Sequence, residues 1–363
     1  MSRPFRNEID IMVWLTGTTI SDVAIRPRSR PPLTRLFAGK PASALIPVLP
    51  RLFSLCSVAH QVAFLSAIEA AQGLETIKPI AMHRLTAVVA ERLTELIRGL
   101  FVAGLELDQE SAPAVRSMIQ ASTTLSGAVE TVPDTVRRDV IAHVKAALRA
   151  LGVSGEHQPP APGSVLSTYL TRCDREVMSL PAADQFFLTP ADDLEIVTRL
   201  MAEGTAYSEA PELCGKVPET GVWARRAQRE QILSLSASGA ARVRARIDEI
   251  ARLTCWLDAR RDAPDNGVVA SYRLGERRGA AAVECARGRL HHAVKLDEEG
   301  RIVGFEYIAP TEWNFHERGP LVRSLKGALL SAGRQGQDAV RTLVGAFDPC
   351  VGFSVSFREA SHA

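Results

Sequence analysis

The chain has 363 residues, with 43 Lys and Arg against 41 Asp and Glu, and a net charge of only +2. That is too little for the broad basic face that a phosphate backbone requires, so nucleic acid is not an expected partner. No secretory apolar core fits the first fifteen residues, where Glu8 and Asp10 intervene, and Ala44 to Leu55, broken by two prolines and Arg51, cannot span a bilayer. These features predict a cytoplasmic, membrane-free protein.

Residues 9–25, β-branched and apolar around Thr16-Gly17-Thr18, predict a hairpin, followed by a Pro/Arg-rich connector from Arg26 to Pro32. From about 42 to 151 the periodicity is helical: Leu85, Val88, Val89, Leu93, Leu96, Ile97 and Leu100 fall on one stripe. Pro133-Asp134 predicts a helix start, and Gly152 its stop. Residues 153–164, containing GEHQPPAPGS, predict an exposed Pro-rich loop, and 189–204 and 222–262 predict further helices. After Gly267 come four short runs typical of strands, with LDEEGR as a hairpin turn between the last two. Helices over about 319–332 and 336–346 and an irregular tail complete the reading. The sum is an α+β chain, predominantly α, read as a single domain over 1–363. Strands near both ends invite a shared sheet, which would bring residues near 56 and 350 together.

Six cysteines, at 56, 173, 214, 255, 285 and 350, have no close pair among them. This suits a reducing compartment and gives neither a disulfide framework nor the paired ligands of a structural zinc site. Cys173, Cys214 and Cys255 are assigned to packing. Cys285, two residues before Arg287, is either a packed thiol, the preferred reading, or a third ligand with a lowered pKa. His291 and His292, adjacent on a strand, point to opposite faces and do not converge on one ion. The stretch Arg242 to Arg252 alternates bases and acids at helical spacing and is read as a solvated face.

Two segments carry the chemistry. RLFSLCSVAH, Arg51 to His60, and FDPCVGFSVS, Phe347 to Ser356, resemble the RxCGxCxxxH and DPCxxCxxH motifs of nickel-iron hydrogenase large subunits. In that family four cysteine thiolates hold nickel, and two of them bridge to an iron carrying carbonyl and cyanide. Cys56 and Cys350 match one cysteine of each motif; Phe53 and Phe353 stand at the other two positions, and Ser356 at the terminal histidine. Three further blocks follow in family order: GKVPETGVWAR (Gly215 to Arg225), VECARGRLHH (Val283 to His292) and PTEWNF (Pro310 to Phe315). The resemblance implies the large-subunit fold, with a helical core and a small β-sheet formed by the N- and C-terminal segments.

Two phenylalanines cannot supply thiolates, so no nickel is expected, and a benzyl group is expected to fill the nickel side of the pocket. Counting back from Arg51 places Thr34 where the family relays protons through an acid, and a hydroxyl does not titrate near neutrality. An iron dicyano-carbonyl group, Fe(CN)2CO, brings three ligands of its own, and Cys56 and Cys350 suffice to dock it. The resemblance implies that Arg287 faces a cyanide and that His60 hydrogen-bonds a sulfur or another cyanide. The pattern is similar to the cysteine-poor hydrogenase expression/formation proteins of the HupK type. That implies a non-catalytic scaffold that holds the iron group transiently before transfer to the large-subunit precursor, with maturation chaperones as partners. A metal-free mimic that occupies those chaperones or shields the precursor is the alternative, and an active hydrogenase ranks third. Only FREASHA follows Ser356, and no processing of this tail is expected.

Overall fold

A computed structural model describes residues 8–360, apart from 103, 106, 110, 128–131, 176–177, 183–184, 233–236 and 260–266. The strands are β1 (Glu8–Thr16), β2 (Thr19–Arg26), β3 (Met178–Ser179), β4 (Val269–Gly275), β5 (Arg278–Cys285), β6 (Gly288–Leu296), β7 (Ile302–Ile308), β8 (Leu329–Leu330) and β9 (Gly352–Glu359). The helices that position the site are α1 (Leu33–Phe37), α2 (Ser57–Gln72), α3 (Lys78–Phe101), α4 (Gly239–Ala259), α5 (Pro310–Asn314), α6 (Pro320–Leu325) and α7 (Arg334–Ala346).

The first sheet has the order β3-β8-β2-β1-β9. Ile9, Ile11 and Val13 alternate with less buried neighbours, the period-two pattern of a strand with one face on a core. A turn with Gly17 at φ +62° reverses the chain into β2, and β9 joins the other side of β1 in parallel, with Gly352 opposite Glu8. N- and C-terminal segments therefore share one sheet, as the resemblance implies. The tail is a strand rather than irregular, because Phe353, Val355 and Phe357 alternate with Ser354, Ser356 and Arg358. The segment 319–332 is helical only over α6; Gly327, at φ +87°, ends it and lets Leu329–Leu330 pair as β8. The helical reading of 222–262 is met by Val222–Glu230 and by α4, with 233–236 and 260–262 outside the described residues. Residues 151–164 connect two helices and hold no helix or strand.

The second sheet is an antiparallel meander, β4-β5-β6-β7. Helix α2 lies directly on β5: a Cβ at Gly279 would stand 2.1 Å from the Ala67 carbonyl oxygen, so only glycine permits this approach. The α3 stripe, Val88, Val89, Leu93, Leu96, Ile97 and Leu100, is buried with α2 and the second sheet in one large core. A second core joins the first sheet to α6 and α7.

The Arg242 to Arg252 stretch, read as a solvated face, is instead largely buried. Arg242, Arg246, Asp248 and Glu249 are all under 7 % exposed. Arg242 pairs with Glu219 at 2.5 Å, and Glu249 accepts from Arg92 at 2.8 Å and from Arg225 at 2.6 Å. Base-acid alternation at helical spacing does not reveal whether the partners lie on the same helix or across a core. Here the largest pairs are across the core. Burial alone would raise the Glu249 carboxyl, but the two guanidiniums outweigh it and bring the pKa to about 2.

Candidate functional site

Cys56 is the last residue before α2 and adopts the left-handed conformation, φ +55°. The helix that follows is capped from another element: Glu91 of α3 accepts the N–H groups of Val58 at 2.7 Å and Ala59 at 2.8 Å, and the Ser57 hydroxyl at 3.2 Å. A carboxylate at a helix N-terminus satisfies orphan donors and favours the dipole. Burial nonetheless dominates and raises the Glu91 pKa to about 7.

The Cys56 sulfur lies 3.4 Å from Arg287 Nη1, and the same nitrogen donates to Glu95 Oε2 at 3.0 Å. Arg287 Nε stands 3.6 Å from Asp348 Oδ2 and, though buried, makes no hydrogen bond. Arg287 holds its charge despite burial because Asp348, Cys56, Glu95 and Cys350 surround it. Asp348, at φ +54°, bends the chain ahead of Pro349-Cys350. The Thr311 hydroxyl, from α5, donates to the Cys350 sulfur at 3.0 Å and accepts the Cys350 N–H at 3.3 Å. The two motif cysteines, 294 positions apart in the chain, thus lie within electrostatic reach of one guanidinium. Cys350 is half-buried and Cys56 buried.

His60 meets a second histidine. Its Nδ1 lies 2.9 Å from His292 Nε2, and its ring stacks on Phe53 with centroids 3.6 Å apart and planes 1° from parallel. Burial, with the neighbouring His292 and Arg28 charges, pushes the His60 pKa well down, and burial brings His292 to about 3; both rings are neutral. His291 faces the other way, toward Asp193 at 3.0 Å, as adjacent strand residues must. Tyr307 meets Phe53 edge-on, with ring centroids 5.1 Å apart. Phe53 is thus enclosed by the His60, His292 and Tyr307 rings. Phe353 lies elsewhere: strand alternation on β9 turns it toward the second core, near Gly345.

Other residues add to the sequence reading or depart from it. Cys285, for which packing is the preferred reading, is buried in the core beside Cys56, and the interaction between the two thiols raises the pKa of Cys56 and lowers that of Cys285. Glu91 and Glu95 were unremarked, although two acids four residues apart on an apolar stripe signal buried partners. Thr34 bridges backbone instead of occupying the site: its hydroxyl donates to the Phe305 carbonyl at 3.0 Å and accepts the Phe305 N–H at 2.9 Å. Cys214 and Cys255 are exposed, contrary to their assignment to packing, while Cys173 is buried.

The further motif blocks pack around this arrangement. A Cβ at Gly221 would lie 2.7 Å from the Arg287 carbonyl oxygen, so the Gly215 to Arg225 segment packs directly under the Arg287 turn. Arg225 ties that turn down through Glu284 at 2.5 Å and the Ala286 carbonyl at 2.9 Å. Among the described residues no three His, Cys, Asp or Glu side chains converge as a metal cage, and no helix is long and apolar enough to cross a membrane.

Residues 209–356 match the family model of nickel-dependent hydrogenases. The fold is similar to the Ni-Fe-Se hydrogenase of Desulfovibrio vulgaris Hildenborough, with a TM-score of 0.60 at 15% identity over 93% of this chain and 95% of that one. It is also similar to an NAD+-reducing [NiFe]-hydrogenase, with a TM-score of 0.58 at 16% identity over 92% and 93%. Among curated relatives, the hydrogenase expression/formation protein HupK of Bradyrhizobium diazoefficiens is 65% identical over the full length of both chains. HupK of Rhizobium leguminosarum bv. viciae is 31% identical over 98% of each. HoxV of Cupriavidus necator, also a hydrogenase expression/formation protein, is 30% identical over 91% of this chain and 92% of its own. The chain belongs to the HupK family of hydrogenase expression/formation proteins, related to the nickel-iron hydrogenase large subunit.

Proposed function

We propose that this accessory protein of hydrogenase maturation is a non-catalytic holding site for an iron dicyano-carbonyl cargo, docked through Cys56 and Cys350. The observation that carries the reading is the shared guanidinium: Arg287 touches the Cys56 sulfur at 3.4 Å and feels the charge of Cys350. Two thiolates are too few for a bare nickel or iron ion, but a ferrous group with three strong ligands of its own needs no more. The residues fit such a cargo. A buried Arg287 Nε without a hydrogen bond offers a donor to a cyanide nitrogen, and the neutral, tightly packed His60, His292 and Phe53 keep that side of the site dry. Nickel fits this reading poorly, because Phe53 and Phe353 stand at two of the four motif positions that carry thiolates in the large-subunit family.

In this reading the large-subunit precursor receives the cargo, and maturation chaperones deliver it in the cytoplasm. The names of the relatives support hydrogenase maturation as the setting. The test is infrared spectroscopy of protein purified without oxygen alongside its maturation partners. Cyanide and carbonyl stretching bands that are lost in Cys56→Ala and in Cys350→Ala are expected. A band-free protein that still supports maturation would favour the metal-free mimic instead, and hydrogen uptake by the purified chain would contradict the non-catalytic reading.

A further inference from the structure

The Pro/Arg-rich connector between β2 and α1 places two arginines beside this site. Arg28 Nη2 donates to Glu312 Oε1 at 3.0 Å and to the Tyr307 hydroxyl at 3.3 Å. Arg30 lies over the Tyr307 ring, 4.4 Å from its centroid, donates to the Tyr307 carbonyl oxygen, and stands 3.7 Å from Glu312. Both side chains are nearly buried, 12 % and 9 % exposed. Glu312 is the one carboxylate within ion-pair distance of either, among the described residues. Two guanidiniums sharing one carboxylate leave one positive charge uncompensated in a dry region, an arrangement that burial makes costly unless an anion completes it.

The position of that surplus is defined from two sides. Tyr307, which Arg28 bonds, meets the Phe53 and His60 rings edge-on, with centroids 5.1 and 5.7 Å apart. Glu312, its other partner, follows Thr311, whose hydroxyl donates to the Cys350 sulfur. The Arg28 charge is felt by His60 and by Cys350 alike. Its Nε is buried and donates to no atom among the described residues. Arg28 thus stands on the Cys350 side of the site, and Arg287 on the Cys56 side, each with a buried N–H left over.

We infer that Arg28 is a second cargo-binding donor, which takes one cyanide of the iron group while Arg287 takes the other, with Arg30 holding Tyr307 and Glu312 in place behind it. The inference rests on the iron-holding reading. It gives the site a fork on each side, so that a cargo with two anionic, hydrogen-bond-accepting ends is selected over one with a single such end. The Cys350 thiolate on its own would neutralise the charge but leave the Arg28 Nε without an acceptor.

The test is the infrared spectrum and iron content of Arg28→Gln and Arg28→Lys, purified as above beside the unaltered protein and checked for folding by circular dichroism. A hydrogen bond at a cyanide nitrogen draws on its weakly antibonding lone pair and raises the stretch. Because the two cyanide stretches on one iron are coupled, Arg28→Gln is therefore expected to move both cyanide bands to lower frequency and to change their separation, with iron per chain reduced about tenfold or more. Arg28→Lys, which keeps the charge but not the fork, is expected to retain more iron and still move those bands. Both cyanide bands unmoved in a folded, iron-loaded Arg28→Gln protein would overturn this inference and leave the holding-site reading intact. No bands in the unaltered protein would overturn both.

Discussion

Arg287 Nη1 lies 3.4 Å from the sulfur of Cys56 and, in the same geometry, 3.0 Å from Glu95, so the thiol nearest the centre of the site is held by a guanidinium that is itself anchored from α3. The arginine has two tasks at once. It completes a buried ion-pair array, and it keeps a buried Nε, 3.6 Å from Asp348 Oδ2, free of any hydrogen bond among the described residues.

Replacing that fork with a point charge should separate the tasks. Arg287→Lys retains a cation near Glu95 but loses planar two-sided donation. Iron retained after anaerobic gel filtration is expected to fall about tenfold or more, the cost of one charge-assisted hydrogen bond, while the melting temperature changes little by comparison. Unchanged iron content would show that Arg287 is structural only.

Cys285→Ala tests the thiol pair. The hydrogen bond to Cys285 is the largest influence raising the Cys56 pKa, ahead of burial, so its removal lowers that pKa. The pH at which Cys56 becomes reactive to a small alkylating agent, followed by peptide mass spectrometry, is expected to move down. An unmoved pH would mean that the two sulfurs do not interact, and an upward move that Cys285 stabilises the Cys56 thiolate instead.

Glu249 is the hub of the buried lattice beneath the Arg287 turn, bonded to both Arg92 and Arg225. Glu249→Gln removes the carboxylate that Arg92 and Arg225 share, leaving Arg225 with Glu284 alone as its ion-pair partner among the described residues, and is expected to cost roughly 3–5 kcal/mol in urea unfolding. A loss below about 1 kcal/mol would show that the lattice relaxes freely.

Glu91 gives the chain a pH signature. Its carboxyl titrates near 7 when folded against an ordinary value of 4.5. Between those limits the folded chain holds a proton that the unfolded chain has lost, so stability falls as pH rises from about 4.5 to about 7 and is flat above. The fall is about 3 kcal/mol at most. Glu91→Gln is expected to remove that slope in denaturation curves taken across the window; an unaltered slope would assign it elsewhere.

Much of this architecture is visible in the residues themselves. The β1 hairpin, the α3 stripe and the four-strand meander follow from periodicities that a single segment carries. The cysteine motifs and the Arg287 block could be placed because short patterns keep their spacing. What was hidden depends on partners distant in sequence. Glu91 caps a helix that starts 34 residues earlier, at Ser57, and Arg28 meets Glu312 across 284. The burial of Arg242 and Glu249 is likewise invisible from a pattern that looks amphiphilic along one helix. Phe353 was misplaced for a related reason: its position in a motif suggested the pocket, but the strand period that governs its direction points to the other core.

The central claim, that Cys56 and Cys350 hold one iron between them, is tested most directly by iron X-ray absorption on the anaerobically purified protein. The account predicts an iron with two sulfur neighbours and short bonds to diatomic ligands, and one sulfur neighbour fewer in Cys56→Ser or in Cys350→Ser. Iron bound only through oxygen and nitrogen, or with its sulfur neighbours unaltered in both variants, would contradict it.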